Sequence, residues 1–365
     1  MKIAMVVPGG FDPSGQQRVI PALLWLAERL ARRHELHVFA LDGVAYDYML
    51  GSVCVHALQA RPGLPGLPAA ARWAKLRRAL AAIGRPDVLH GFWAGSSGVL
   101  AGLAGRRLGV PVVLSIGGGE LVWLPEAGYG GQGSWRGRTQ AHLALRLARV
   151  VTAGSRYAAR PLAGRVPVAI VPLGAEAARF AAPVARAPGP PWRLLHIASI
   201  NRVKDQATLL QALRLIADQI PDVRLDWVGE DTLGGALQRM CAGLGLAGQV
   251  RLHGFLPSEQ LAPLYAAAHL HLLSSRHESQ AVVVGEAAAA GLPTVGTAVG
   301  VLAELAPAAA AAVPVGDAAG LAAAALVLLR DNQRREALGR AAQAWARAHD
   351  ADWTAAQFEA IYRRL

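Results

Sequence analysis

The chain has 365 residues, 53% of them hydrophobic, with a formal net charge of +12 and cysteine only at Cys54 and Cys241. That length exceeds what one compact core fills and predicts two domains with a cleft. Two cysteines far apart exclude a disulfide framework, and the lack of an apolar run of about 18 residues excludes a membrane span. The opening MKIAMVVPGG has one lysine and then a glycine pair, without the pattern of a signal peptide, so the chain is expected in the cytoplasm. Both cysteines read as small core residues. The histidines show no HxxxH pair and no two-Cys-two-His cluster, so no metal is expected.

The charge is uneven. Residues 1–190 carry 22 Lys and Arg against 9 Asp and Glu, whereas residues 191–365 carry 15 against 16. A basic first half suits nucleic acid, an anionic membrane surface or a phosphorylated ligand, or it simply solvates arginine-rich helix faces.

In chain order, KIAMVVP (2–8) and LHVFAL (36–41) read as buried strands. The segment VIPALLWLAERLARRH between them places Leu23, Trp25, Leu26 and Leu30 on one helical face. Strand-like runs follow at 87–93, 111–119, 149–156 and 168–174, with a helix-like SSGVLAGLAGRRLG between the first two. The proline-rich APVARAPGPPWR (182–193) interrupts this alternation and reads as a linker. Alternation restarts with RLLHIASI (193–200) and runs through VRLDWVGE, QVRLHGF, LHLLSS and TVGT, with helix-like segments between; from about residue 318 the chain reads as helical. The expected fold class is therefore α/β, with two doubly wound, Rossmann-like parallel sheets whose strand ends face a central cleft.

The boundaries read from the sequence are residues 1–181 for the first domain, 182–192 for the linker and 193–345 for the second domain. The tail, 346–365, is expected as a helix that packs back toward the first domain.

Function belongs in the loops after the strands. GGFDPSGQQR (9–18) follows the first strand, and Gly15 and Gln16 there suit either a tight turn or the approach of backbone amides to an anion. SIGGGEL (115–121) brings Gly118, Gly119 and Glu120 to another strand end, where the glycines imply close approach to a ligand or a sharp bend. SINRVKDQATLLQAL (199–213) sets Ser199, Asn201, Arg202 and Lys204 before a helix. Cations at a helix N-terminus oppose the dipole unless an anion joins them, so this loop reads as a diphosphate site in preference to two solvent-facing basic residues. In HESQAVVVGEAAAAGLPTVGT (277–297), Glu278 lies in a strand-end loop and Glu286 in what reads as the first turn of the next helix.

These motifs resemble the retaining family 4 (group 1) glycosyltransferases of the GT-B fold. The most specific match is the Glu278-x7-Glu286 pattern in SSRHESQAVVVGEAAAAGLPTVGT, which resembles PSxxEGFGxxxLEAMAxGxPVVAT of that family. VKDQATLLQAL, WVGE, VRLHGFLPSEQLAPLYAAAHLHLL, TAVGVLAEL and VPLGAEAARF follow the family order. The resemblance implies a nucleotide sugar held mainly by the second domain and an acceptor held mainly by the first. It assigns Lys204 and Arg202 to the diphosphate, Glu278 to the hydroxyls of the transferred sugar and Glu286 to the ribose. Gly229, the backbone at His253 and Gly254, and Ser199, Asn201, Ser279, Gln280, Ala281 and Val282 complete the implied donor site. Gly15, Gln16, Gly118, Gly119 and Glu120 fall on the acceptor or phosphate side. Such enzymes use no resident cofactor and typically no divalent metal.

The chain departs from the family pattern at several positions. Ser199 replaces an arginine, Gly117 a histidine, Ser279-Gln280-Ala281 a Gly-Phe-Gly turn, and Leu173 and Glu176 an asparagine and an aspartate. The expected activity is transfer of a hexose from a UDP- or GDP-sugar to a hydroxyl acceptor with retention, as in synthesis of a cell-surface polysaccharide or glycolipid. The alternative is a nucleotide-sugar-binding or scaffold protein of the same fold that has lost turnover. RPGLPGLPAAARWAKLRRALAAIGRP (61–86) reads either as a basic helix that docks on an anionic membrane to reach a lipid-linked acceptor, or as a solvated helix with Trp73 and Leu76 packed inward. The membrane reading places the protein on the inner face of the plasma membrane. No recognition helix or zinc finger accompanies the charge, so nucleic acid is not an expected partner.

Overall fold

The computed structural model describes residues 1–60, 67–187 and 189–365. It forms two units, one of Met1–Leu173 with Ala351–Leu365 and the other of Gly174–Asp350.

The first unit runs β1 (Lys2–Val7), α1 (Pro21–Ala31), β2 (Glu35–Ala40), β3 (Tyr48–Leu50), β4 (Val53–Ala57), α2 (Leu67–Ile83), β5 (Val88–Phe92), α3 (Ser96–Leu108), β6 (Val112–Ile116), α4 (Trp135–Leu147), β7 (Val150–Ala153), α5 (Arg156–Ala159) and β8 (Val168–Ile170). Its sheet has the order β3-β4-β2-β1-β5-β6-β7-β8 and is parallel except for β3, which pairs antiparallel with β4. Helices cover both faces, so strands such as KIAMVV and VVLSI are continuous apolar runs. The period of two still sorts them. Ile3, Met5 and Val7 pack with Leu23, Leu26 and Leu30 of α1, while Ala4 and Val6 pack with Leu76 and Leu80 of α2. β3 and β4 are short and were not distinguished as strands in the sequence.

One polar chain crosses this core. His90 of β5 is hydrogen-bonded through Nδ1 to the Tyr362 hydroxyl (2.6 Å) and through Nε2 to Ser115 Oγ (2.7 Å), which in turn bonds Thr152 Oγ1 (2.6 Å). Burial drives the His90 pKa down to about 3, so the ring is neutral.

The second unit runs α6 (Ala177–Phe180), β9 (Trp192–Ile197), α7 (Gln206–Gln219), β10 (Val223–Val228), α8 (Ala236–Gly243), β11 (Val250–Gly254), α9 (Ala262–Ala267), β12 (Leu270–Leu273), α10 (Val282–Ala289), β13 (Thr294–Thr297), α11 (Leu302–Leu305), β14 (Ala311–Val313), α12 (Ala318–Arg330) and α13 (Asn332–Ala348). Its sheet order is β11-β10-β9-β12-β13-β14, parallel throughout. The final helix, α14 (Ala351–Tyr362), belongs to the first unit. There Arg29 Nε meets Asp352 Oδ1 at 3.0 Å, Thr354 Oγ1 donates to the Pro172 carbonyl at 2.7 Å, and Phe358 and Tyr362 are buried.

The unit boundaries differ from those read in the sequence. The chain changes unit at Leu173/Gly174 and Asp350/Ala351, not at 181 and 345, and the proline-rich stretch lies inside the second unit. Composition marked the prolines, but side-chain anchors decide where the segment packs. Arg186 donates to the carbonyls of Ala268 and Ala290, and Gln343 Nε2 donates to those of Ala182 and Ala289. Pro188 lies outside the described residues.

The apolar residues of the basic helix α2 pack inward. Leu76 is fully buried and Trp73 packs beside it, while Lys75, Arg77 and Arg78 are exposed. Residues 61–66 of that segment lie outside the described residues.

Candidate active site

In both sheets the strand order reverses next to the first strand, between β1 and β5 in the first unit and between β9 and β12 in the second. Crossovers on either side of such a point diverge to opposite faces and leave a crevice beyond the carboxyl ends of the strands. In the second unit the loops after β9 and β12 are therefore neighbours, and they carry SINRVKD and SSRHES.

Four contacts join these two loops. Lys204 Nζ lies 2.5 Å from Glu278 Oε1, Ser274 Oγ donates to the Lys204 carbonyl (2.7 Å), Arg276 N donates to the Val203 carbonyl (2.8 Å), and the Arg276 guanidinium pairs with Asp205 (3.1 Å). Ser275 Oγ also donates to Glu278 Oε1 at 2.6 Å. Lys204 and Glu278 are mostly buried, with side-chain exposures of 23% and 11%. An ion pair so shielded is stronger than a surface pair and holds both groups in one geometry.

Local structure fixes this arrangement. Arg202–Lys204 is a single 3-10 turn in which Lys204 N donates to both the carbonyl and the side-chain Oδ1 of Asn201. Asp205 has φ of 51° and caps α7 by accepting from Thr208 N. The cations thus precede the cap of α7. Lys204 is brought to Glu278; Arg202 and Ser199 are exposed and take no part in that pair.

The turn Ser279-Gln280-Ala281 follows the first glutamate. Ala281 adopts φ of 69°, where the family pattern has glycine, and caps α10 without a side-chain acceptor. Gln280 is buried, and its carbonyl accepts from Val301 N at 2.8 Å. Gly300 completes the turn at φ of +56°; a Cβ there would lie 2.6 Å from the Gln280 carbonyl oxygen and 2.9 Å from Glu278 Cβ. Only glycine lets that chain pass so close to Glu278.

Glu286 is not in the first turn of its helix. α10 starts at Val282, because the AVVV run is helix and not strand, and this sets Glu286 one turn in, at 4% exposure. Glu286 Oε2 accepts from the Tyr265 hydroxyl at 2.7 Å. Burial raises the Glu286 pKa to about 7, against the lowering effects of the Tyr265 hydrogen bond and Arg179. Tyr265, from α9, carries no recognisable signal inside LAPLYAAA.

At the other edge, β10 and β11 slip register at Trp227/Val228, so that His253 has no opposite residue and Val228 pairs with Gly254. His253 Nε2 is held by Asp226 Oδ1 at 2.6 Å, and Gly229 N donates to the Gly254 carbonyl at 2.9 Å. Beyond them Phe255 is 55% exposed.

In the first unit, α1 begins only at Pro21, so Gly15 and Gln16 do not sit at its N-terminus. Their loop closes on itself. Gly15 N donates to the Asp12 carbonyl, Gln16 N and Gln17 N donate to Ser14 Oγ, and Arg18 pairs with Asp12 at 2.9 Å. In the other loop Glu120 turns inward and accepts from the amides of Gly117 (3.0 Å), Gly118 (2.7 Å) and Ala94 (3.2 Å). Burial pushes its pKa up, against those backbone hydrogen bonds. The close approach that the glycines permit is to aromatic rings: a Cβ on Gly117 or Gly118 would meet Trp93, and one on Gly119 would meet Tyr129. Trp93, with φ of 66°, stands directly after β5 at the reversal point and was missed in the sequence, where only its place after a strand could have marked it.

The fold and these loops define a GT-B protein. Sucrose-phosphate synthase from Thermosynechococcus elongatus superposes with a TM-score of 0.82 at 20% identity, covering 100% of this chain and 99% of that one. HepE from Anabaena, solved with UDP and glucose, superposes with a TM-score of 0.78 at 20% identity over the full length of both chains. A "Glycosyl transferase 4-like domain" model matches residues 19–174 and a "Glycosyl transferases group 1" model matches residues 191–331. The chain belongs to the group 1 glycosyltransferase family. N-acetyl-alpha-D-glucosaminyl L-malate synthase of Bacillus anthracis is 30% identical over 172 residues, which is 46% of this chain and 44% of that protein. The match therefore spans less than half the length of that curated relative.

Proposed function

We propose that the protein transfers a hexose from a UDP- or GDP-sugar to a hydroxyl acceptor with retention at the anomeric carbon. The observation that carries this reading is the Lys204–Glu278 pair at the reversal point of the second sheet. Glu278, already aligned by Lys204 and Ser275, is placed to accept hydrogen bonds from sugar hydroxyls. Lys204 is the cation for the diphosphate. α10 adds the positive end of its dipole, and its cap Ala281 has no side-chain acceptor, which leaves first-turn amides for a phosphate oxygen. Glu286 offers its second carboxyl oxygen to ribose hydroxyls while Tyr265 holds the first. UDP in the HepE structure supports a uridine donor among the candidates.

In the transfer the bond from the anomeric carbon to the diphosphate oxygen breaks and a bond to the acceptor oxygen forms on the same face. The acceptor proton passes to the departing phosphate. Charge on that leaving group is stabilised by Lys204 and the helix dipole, with no metal in the scheme. The first unit is assigned the acceptor. The exposed Lys75, Arg77 and Arg78 of α2 suit an anionic lipid surface carrying a lipid-linked acceptor. No helix among the described residues is long and apolar enough to cross a membrane.

Incubation with a panel of UDP- and GDP-sugars, with the product anomer read by NMR, tests the proposal. Product of retained configuration supports it, and an inverted product contradicts the retaining scheme. Ser199 and Gly117, in place of an arginine and a histidine, favour a second reading in which the chain binds nucleotide sugars without turnover. Saturable binding with no product over a broad acceptor panel selects that one.

A further inference from the structure

Parallel pairing of β2 with β4 sets His37 opposite Cys54 and Phe39 opposite His56. Alternate residues of a strand share a face, so His37, Cys54 and His56 project from the same side of the sheet. One ligand atom from each lies within 4.8 Å of the others. His37 Nδ1 is 3.0 Å from His56 Nε2, and Cys54 Sγ is 3.5 Å from His56 Nε2. Tetrahedral bonds of the length zinc makes to nitrogen and sulfur separate neighbouring ligand atoms by about 3.3–3.6 Å.

The outer nitrogens are also engaged. His37 Nε2 meets Glu35 Oε1 at 3.1 Å and His56 Nδ1 meets Asp47 Oδ2 at 2.9 Å. Asp47 is itself fixed, since its other oxygen accepts from Ala57 N at 2.9 Å. A carboxylate on the outer nitrogen keeps the ring proton there, which leaves both inner nitrogens as lone-pair donors. Two lone pairs facing at this distance repel unless a positive particle lies between them. A proton would satisfy the two imidazoles alone; the adjacent thiol adds a third donor that a proton does not need.

We propose that His37, Cys54 and His56 form a binding site for a borderline-soft divalent cation of the zinc class, held by two imidazoles and a thiolate with water in the fourth position. The histidine side chains are 12% and 11% exposed, so an ion can enter and is largely shielded once bound. Binding converts the Cys54 thiol to thiolate, and its proton leaves to solvent. The ion would tie β2 to β4 and, through Asp47, fix the segment before β3. The site lies wholly in the first unit and does not depend on the donor chemistry assigned to the second.

The test uses the full chain, stripped with a chelator and titrated with Co2+ and then Zn2+. The expected result is one Co2+ per chain, with a thiolate-to-cobalt charge-transfer band and tetrahedral visible bands that Zn2+ abolishes. Cys54→Ala removes the charge-transfer band, whereas Cys241→Ala keeps it. Asp47→Ala weakens binding about 10–100-fold. Circular dichroism checks that each variant is folded, and Cys54→Ser serves if Cys54→Ala is not. Failure to bind one ion per chain, or a charge-transfer band unchanged in the folded Cys54 variant, overturns the proposal and leaves a proton-bridged histidine pair.

Discussion

Lys204 Nζ and Glu278 Oε1 lie 2.5 Å apart, from loops that follow the neighbouring strands β9 and β12. The strand order makes those loops neighbours, and the ion pair then presents each group in a fixed position. Glu278→Gln keeps the shape and removes the charge. Loss of one such preorganised electrostatic contact is expected to lower kcat roughly 10²–10³-fold. Lys204→Met is expected to weaken donor binding as well, read as a rise in donor KM. Steady-state kinetics of both variants check this; an unchanged kcat/KM in either would remove that residue from the mechanism.

Glu286 links stability to pH. Its folded pKa, raised to about 7 from 4.5, means that the folded state prefers the protonated carboxyl. Its penalty is absent below about pH 4.5 and grows as pH rises to 7, by an amount on the order of 3 kcal/mol. Glu286→Gln is therefore expected to be more stable than the parent at pH 8 and nearly equal to it at pH 4.5. Urea unfolding at the two pH values measures this, and equal differences at both would contradict it.

Buried histidines act in the opposite direction. Burial lowers His90 and His271 to about 3 and His196 to about 4, so all three favour the neutral ring in the folded state. Their contribution is complete above about pH 6.5 and is lost as pH falls toward 4 and below. The unfolding midpoint is expected to drop steadily from pH 6.5 to pH 4. For His196→Gln the dependence is expected to be shallower, because one fewer buried ring then has to charge, while His90 and His271 remain.

Ala281 holds a left-handed conformation at 7% exposure. That conformation costs an alanine about 1–2 kcal/mol, offset in a glycine variant by about 0.5–1 kcal/mol of backbone entropy. Ala281→Gly is expected to gain up to about 1 kcal/mol and to raise Tm by a few degrees. A lower Tm would show that the methyl group's packing outweighs the strain.

Much of this was legible in the sequence because parallel α/β units repeat one local rule. Apolar runs such as KIAMVV and RLLHI announce buried strands, and the loops after them carry the polar residues. Lys204 and Glu278 were both visible as strand-end residues, and the resemblance gave both to the donor site; their contact with each other appears only in the structure. What stayed hidden depends on pairing between distant segments. Tyr265 meets Glu286 only through the packing of α9 against α10, and His37 meets Cys54 only through the register of β2 with β4. Glu286 was misplaced by one turn because AVVV fits a buried helix as well as a strand. The glycines after β6 were read as close approach to a ligand or a sharp bend, and the nearness of Trp93 and Tyr129 to them could not be read from the sequence.

Nucleotide-sugar binding by the full chain, followed by thermal shift against UDP- and GDP-sugars with Glu278→Gln beside the parent, tests the central claim most directly. The prediction is a rise in Tm with at least one donor, and release of its nucleoside diphosphate that falls roughly 10²–10³-fold in the variant. No shift with any nucleotide sugar, or release that is the same in both proteins, would contradict it.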